Sequence, residues 1–311
     1  MYRKDNTTSR WRIDGKTLER FPRFSSSVIF LKRNMEHTRY KFVVHHMITS
    51  ESVESEELCF SSPHYPSTKK DEDFIEGDLI IKQANCQAIP VEDIKFCLEA
   101  SFSLSGQIYC PIDLTKIYPS SISFKMDATG YCTNPLKKPN EVNQIWRRYL
   151  ALLLQKNHEF HHAVNWFMRS LKSNDPIDKF IYAWITLNCL YGYISNADGH
   201  HKGIRSLIYN NIPDMKTKEE IVERQKTIFE LLSSLDLTDK RNDINWSKRL
   251  QDSLSENNTN GIIENGVSAI AIVRHTIFHG NVANRNDEAE RCIWPLNHLN
   301  AEILKNRLLK T

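Results

Sequence analysis

Two side chains near the C-terminal end combine a permanent cation with a titratable ring. They are Arg274 and His279, in the run Ala269-Ile270-Ala271-Ile272-Val273-Arg274-His275-Thr276-Ile277-Phe278-His279-Gly280-Asn281. A guanidinium forks onto phosphate oxygens and keeps its charge at every accessible pH. An imidazole titrates near neutrality and can move a proton. The pair suits RNA backbone chemistry, because RNA carries its own nucleophile, the 2′-OH, beside the scissile phosphate. Catalysis then needs a proton acceptor, a proton donor and positive charge on the developing phosphorane. A plainer reading is an ion pair at Arg274 and a helix C-cap cation at His279, and the R-x-x-x-x-H spacing is a weak pattern by itself.

The element that must position these groups is a helix. The apolar run from Ile262 predicts a helix that reaches His279. On a regular helix five steps turn roughly 500°, so Arg274 and His279 would point about 140° apart. Gly280 stands where helices commonly stop. Unwinding there lets His279 swing toward Arg274. His275 and Asn188 are candidates for orienting groups, Asn188 being equally a satisfied polar residue at a helix contact. No Asp, Glu, His or Cys cluster with ligand spacing accompanies the pair, so neither a metal nor any other cofactor is expected. The adjacent His45-His46 would face opposite sides of a strand and does not make a metal pair.

The rest of the chain sets the context. With 311 residues, 40% hydrophobic and 25% charged, it reads as a soluble globular protein of one large or two ordinary domains. A formal net charge of +3 neither requires nor excludes nucleic acid. The seven cysteines are scattered without metal-type pairing and read as reduced intracellular thiols. The N-terminus shows no signal core, and the most apolar run, Phe180 to Ile194, is too short to span a bilayer. A cytoplasmic protein without membrane contact is the expectation.

Residues 1 to about 135 read as β-rich. Ser27 to Leu31, Tyr40 to His45 and Asp78 to Lys82 are short β-branched and aromatic runs. Lys95 to Leu104 alternates apolar and polar residues and predicts a strand, with Ser105-Gly106 as a turn into Gln107 to Cys110. Ser50 to Asp73 is acidic and Ser-rich, and predicts a long loop. A sheet domain in sandwich form is the expected product. Gly130 to Asn140 is the linker candidate. From Glu141 the periods are helical, through Lys172 and again from Ile177 to Ile194, with Asp175 as N-cap and Pro176 in the first turn. Ser195 to Gly203 reads as loop, Lys216 to Leu235 as an amphipathic helix, and Asp236 to Asn260 as polar and poorly patterned. Residues 195 to 260 are thus an insertion on a bundle closed by Ile262 to His279 and Glu288 to Leu309. Strands followed by helices predict an α+β chain of two domains, 1–135 and 140–311.

Three ordered segments resemble the Apea-like branch of the HEPN superfamily. They are Phe160-His161-His162-Ala163-Val164-Asn165-Trp166-Phe167-Met168-Arg169-Ser170-Leu171, then Asp175 to Gly192, then Val273-Arg274-His275-Thr276-Ile277-Phe278-His279-Gly280. The resemblance covers roughly residues 140 to 311 and leaves the first domain unassigned: a sensor, a partner-binding unit or an RNA-binding unit. It implies a helical bundle that pairs with a second copy. Active members of that family are metal-independent endoribonucleases of defence, toxin and RNA-processing systems, with Arg and His at a cleft between two bundles. By position these are Arg274 and His279. The residue after the arginine is most often Asn in such motifs and is His275 here. Some subfamilies carry a tyrosine two residues after the histidine, where this chain has Asn281. The resemblance leaves open a non-catalytic dimerisation, RNA-binding or nucleotide-binding module, and a toxin silenced by a partner protein.

Overall fold

The computed structural model describes residues 12–13, 16–17, 37–45, 53, 55, 57–61, 74–82, 89–117, 139–155, 157–192, 200–240, 242–278 and 286–310. The chain is α+β. Strands β1 (Arg12–Ile13) and β2 (Lys16–Thr17) form a short antiparallel pair. The main sheet comprises β3 (His37–His45), β4 (Leu58–Ser61), β5 (Phe74–Lys82) and β6 (Ile112–Ile117) in the order β4-β5-β3-β6. Every pairing in it is antiparallel. The expected strands at Tyr40 to His45 and Asp78 to Lys82 fall inside β3 and β5. The one at Ser27 to Leu31 lies outside the described residues.

β5 and β6 both pair antiparallel with β3, so they run parallel to each other. The link between them includes helix α1 (Val91–Gly106). The expected strand at Lys95 to Leu104 is therefore a helix. Its alternation misleads because this helix is buried almost all round, at Ile94, Cys97, Leu98, Ala100, Ser101, Phe102, Ser103 and Leu104. The serines that read as outward-facing point inward. Ser101 Oγ donates to the Cys97 carbonyl at 2.7 Å, and Ser103 Oγ accepts from the Cys110 amide at 3.0 Å. Glu92 and Asp93 in the first turn suit the helix dipole, and Gln107 ends the helix in the left-handed conformation at φ 59°. Gln107 to Cys110 is thus a connection, and the strand follows it.

Phe102 of α1 lies 5.9 Å from the Phe42 ring of β3 and 5.1 Å from the Phe60 ring of β4. One sheet covered by a helix replaces the expected sandwich. β4 also falls inside the segment expected as loop, where buried Leu58 and Phe60 carry a short alternation. Gly77 of β5 sits opposite Phe42, and a Cβ there would lie 2.3 Å from the Phe42 ring and 2.4 Å from the Cys59 carbonyl oxygen. Only glycine fits that approach.

The helical part begins with α2 (Pro139–Leu154) and α3 (His158–Lys172). Asn157 caps α3, accepting from the Phe160 amide at 3.1 Å. Helix α4 (Pro176–Gly192) starts as the sequence predicts, with Asp175 Oδ1 accepting from the Asp178 amide at 2.8 Å. Most of the linker candidate lies outside the described residues, and its end opens α2. Helix α1 packs against α2, α3 and α9 (Asn286–Lys310), so a continuous core runs from the sheet into the helices. At that junction Tyr149 and His161 share a hydrogen bond of 2.9 Å, and Phe96 of α1 meets the His161 ring edge-on at 5.4 Å.

Residues expected as insertion supply α5 (His200–Asn211), α6 (Met215–Ser233), the hairpin β7 (Thr238–Asp239) and β8 (Ile244–Asn245), and α7 (Trp246–Ser255). The loop expected at Ser195 to Gly203 gives way to α5 at His200. Polar composition hides α7 because only Trp246, Ser247, Leu250 and Ser253 are buried. These helices pack on α8 (Thr259–Phe278). A Cβ at Gly266 would lie 2.5 Å from the Phe229 ring, so α8 and α6 approach closely there. In α9, Ile293, Leu296, Leu299, Ile303 and Leu308 are buried, as their spacing predicts.

Candidate functional site

Helix α8 is apolar and buried along most of its length, from Ile262 to Val273. Arg274, His275 and Thr276 follow this stretch near the C-terminal end, with Ile277 still buried beyond them. Arg274 is half-buried and His275, one step around, is exposed. His279 and Asn281 lie outside the described residues, as does Gly280, so the structure places the arginine of the expected pair and not its histidine.

The Arg274 guanidinium lies between aromatic faces. Its central carbon is 4.8 Å from the Phe278 ring centroid and 5.9 Å from that of Trp184. Phe278 is the i+4 neighbour on the same helix. Trp184 belongs to α4 and is buried. Flat delocalised cations are weakly hydrated and suit such stacking. Arg274 Nε is buried and has no hydrogen-bond partner among the described residues. Nor does any carboxylate of those residues pair with Arg274. The ion pairs here are made elsewhere, as between Arg205 and Glu264 at 2.7 Å. Burial of an N–H without a partner costs free energy that a bound oxyanion would recover.

Asn188 and Tyr191 follow Trp184 at i+4 and i+7, on the same face of α4. Burial raises the Tyr191 phenol above its ordinary range, and the Arg274 charge opposes that rise. The phenol therefore stays protonated at neutral pH and keeps a donor beside the cation. Asn188 Oδ1 is buried without a hydrogen-bond partner among the described residues. The satisfied-polar reading of Asn188 thus fails for this atom, and Asn188 stands in the row that faces Arg274. Trp184, buried in the core, and half-buried Tyr191, packed against it, border the Arg274 guanidinium. The available signal was the 184/188/191 spacing, which places the three on one helical stripe.

His45 and three of the cysteines are committed elsewhere. His45 Nε2 meets Asp113 Oδ2 at 2.9 Å, across the β3–β6 pair. Cys97, Cys110 and Cys292 are buried, and burial pushes their thiols up, that of Cys110 to about 12. They are not nucleophiles at neutral pH. Among the described residues no three His, Cys, Asp or Glu side chains gather, and no helix is long and apolar enough to cross a membrane. No protein-family model matches the chain, and comparison with the curated proteins and with the solved structures finds no match either.

Proposed function

We propose that this protein is a metal-independent endoribonuclease of HEPN type, a defence or toxin effector. In this reading Arg274 binds and stabilises the scissile phosphate. His279 moves the proton as the 2′-OH attacks. The observation that carries it is Arg274 itself, a cation fixed between Trp184 and Phe278 with a buried, unspent Nε. Asn188 and Tyr191 supply neutral hydrogen-bonding groups beside it. The resemblance in the segments around Phe160, Asp175 and Arg274 supports the same conclusion.

The active unit is a homodimer through the helical part. One histidine cannot efficiently accept and donate protons for the same phosphate at once, and two-fold pairing brings a second set. Phe278 is 51% exposed although it ends an apolar helix, which suits a face covered by a second copy. The N-terminal unit would carry the trigger or partner contact. The test is RNA cleavage by the purified chain. Cutting is expected to persist in EDTA, to leave 2′,3′-cyclic phosphate ends, and to fall per molecule on dilution. An absolute requirement of the chemical step for magnesium, or a rate per molecule indifferent to dilution in a strictly monomeric sample, contradicts the proposal.

A further inference from the structure

A second cleft lies where the connection after α1 meets α3, α4 and α9, and Arg274 has no part in it. Its volume is about 260 Å³. Tyr109, Ser170, Lys179, Glu290, Trp294 and Asn297 are among the residues that line it. We propose that it binds a nucleobase, stacked on Trp294 and read by the Asn297 side-chain amide.

Trp294 is 61% exposed on a helix whose neighbours Ile293 and Leu296 are buried. A tryptophan left that open, with its ring lining a cleft, is an apolar surface in search of a flat partner. Tyr109 lines the same cleft, and the Lys172 ammonium stands 5.6 Å from its ring centroid. Glu290, Trp294 and Asn297 fall at i, i+4 and i+7 on α9, a single helical stripe facing the cleft.

Asn297 supplies the reading edge. It is only 7% exposed, yet its amide is half spent. Among the described residues its single hydrogen bond is to Ser170 Oγ at 3.0 Å, and Ser170 Oγ also donates to the Lys179 carbonyl at 2.9 Å. Ser170 has one proton and cannot serve two acceptors fully. Turning the amide over satisfies both: Asn297 Nδ2 donates to Ser170, and Ser170 donates to Lys179. Asn297 Oδ1 is then left for the cleft. In either orientation one polar end of the amide has no partner among the described residues, and base edges are what a positioned Asn amide recognises.

The size and charge narrow the class. The cleft is below the roughly 300 Å³ at which sites for drug-sized ligands begin, so it suits one base. Lys179 and Glu290 carry opposite charges, so the wall favours no bare anion. Recognition falls on a flat face and a hydrogen-bonding edge. The base can come from a free ribonucleotide or from a single RNA strand, and the test separates these.

The experiment is a calorimetric titration of the full chain with AMP, GMP, CMP and UMP, and with a short 2′-O-methyl single strand that offers no 2′-OH to attack. Trp294→Ala is the main variant, because an exposed side chain can be removed without opening the core. Base stacking on an aromatic side chain is worth roughly five- to a hundredfold in affinity, and Trp294→Ala is expected to lose that much. Trp294→Phe should recover part of it. Saturable binding of at least one mononucleotide, weakened by Trp294→Ala, assigns a free-ligand site. Binding of the strand alone, weakened by Trp294→Ala, assigns an RNA-tracking site. No binding of any probe at millimolar concentration overturns the proposal, as does affinity unchanged in Trp294→Ala. A change in sedimentation on losing Trp294, with no change in nucleotide binding, would assign that face to a protein partner and equally overturns it.

Discussion

Replacing Arg274 by alanine is expected to lower RNA cleavage at least ~10²-fold while the protein remains folded. Removing one preorganised charge-stabilising donor typically costs that much. The side chain is only half-buried and lies in the last turns of α8, after the mostly buried stretch from Ile262 to Val273. Its loss removes two cation–aromatic contacts, each of about 0.5–1 kcal/mol at a partly exposed site. That is small beside the effect on rate. Arg274→Lys is the sharper variant. Lysine keeps the charge but has neither the planar fork nor the stacking plane that Trp184 and Phe278 hold. Cleavage should therefore remain impaired at least tenfold in that variant. Full activity of Arg274→Lys would mean that the site uses a diffuse positive charge, and the aromatic cradle would then have no part in positioning. Cleavage rates at matched thermal midpoints make the comparison.

Phe102→Ala is expected to cost about 3–5 kcal/mol of stability, the usual range for a buried phenylalanine. Phe102 is fully buried and meets Phe42 and Phe60, both themselves buried. The aromatic pairs add to the simple loss of apolar area, since tilted and edge-on pairs are worth about 0.5–1.5 kcal/mol each beyond burial. The substitution joins three elements, because one ring of α1 fills the space over two strands. Denaturant midpoints of wild type and variant measure it. A loss below about 1 kcal/mol would place Phe102 at a surface and would contradict the helix-on-sheet arrangement.

The two halves of the chain were legible to different degrees, for a physical reason. Helices α2, α3, α4 and α9 each show a recognisable stripe or cap, because they present one face to the core or start at a marked break such as Asp175-Pro176. Helix α1 does not, because a helix buried on nearly every side has no polar face to set its period. Its serines then mimic the polar beat of a strand. The start signals were present at Pro90, Glu92 and Asp93 and would have decided the question. Helix α7 was hidden in the opposite way, with so few buried residues in its ten that the polar majority dominates. At the site, Arg274 could be picked out from its neighbours in sequence. Its cradle could not, because Trp184 and Tyr191 lie more than eighty residues earlier, and only the packing of α4 near the end of α8 joins them to it.

In the proposed reaction RNA is cut by its own 2′-OH at the Arg274–His279 site. The direct measurement uses an RNA cleaved at a mapped position, with and without a 2′-deoxy substitution at that one nucleotide, in EDTA, with wild-type protein and with His279→Ala. Wild-type protein should cut the all-ribose strand and leave a 2′,3′-cyclic phosphate. It should not cut at the deoxy position, and His279→Ala should cut neither strand at a measurable rate. Normal cleavage at the deoxy position, or wild-type-like cleavage by His279→Ala, would contradict the account.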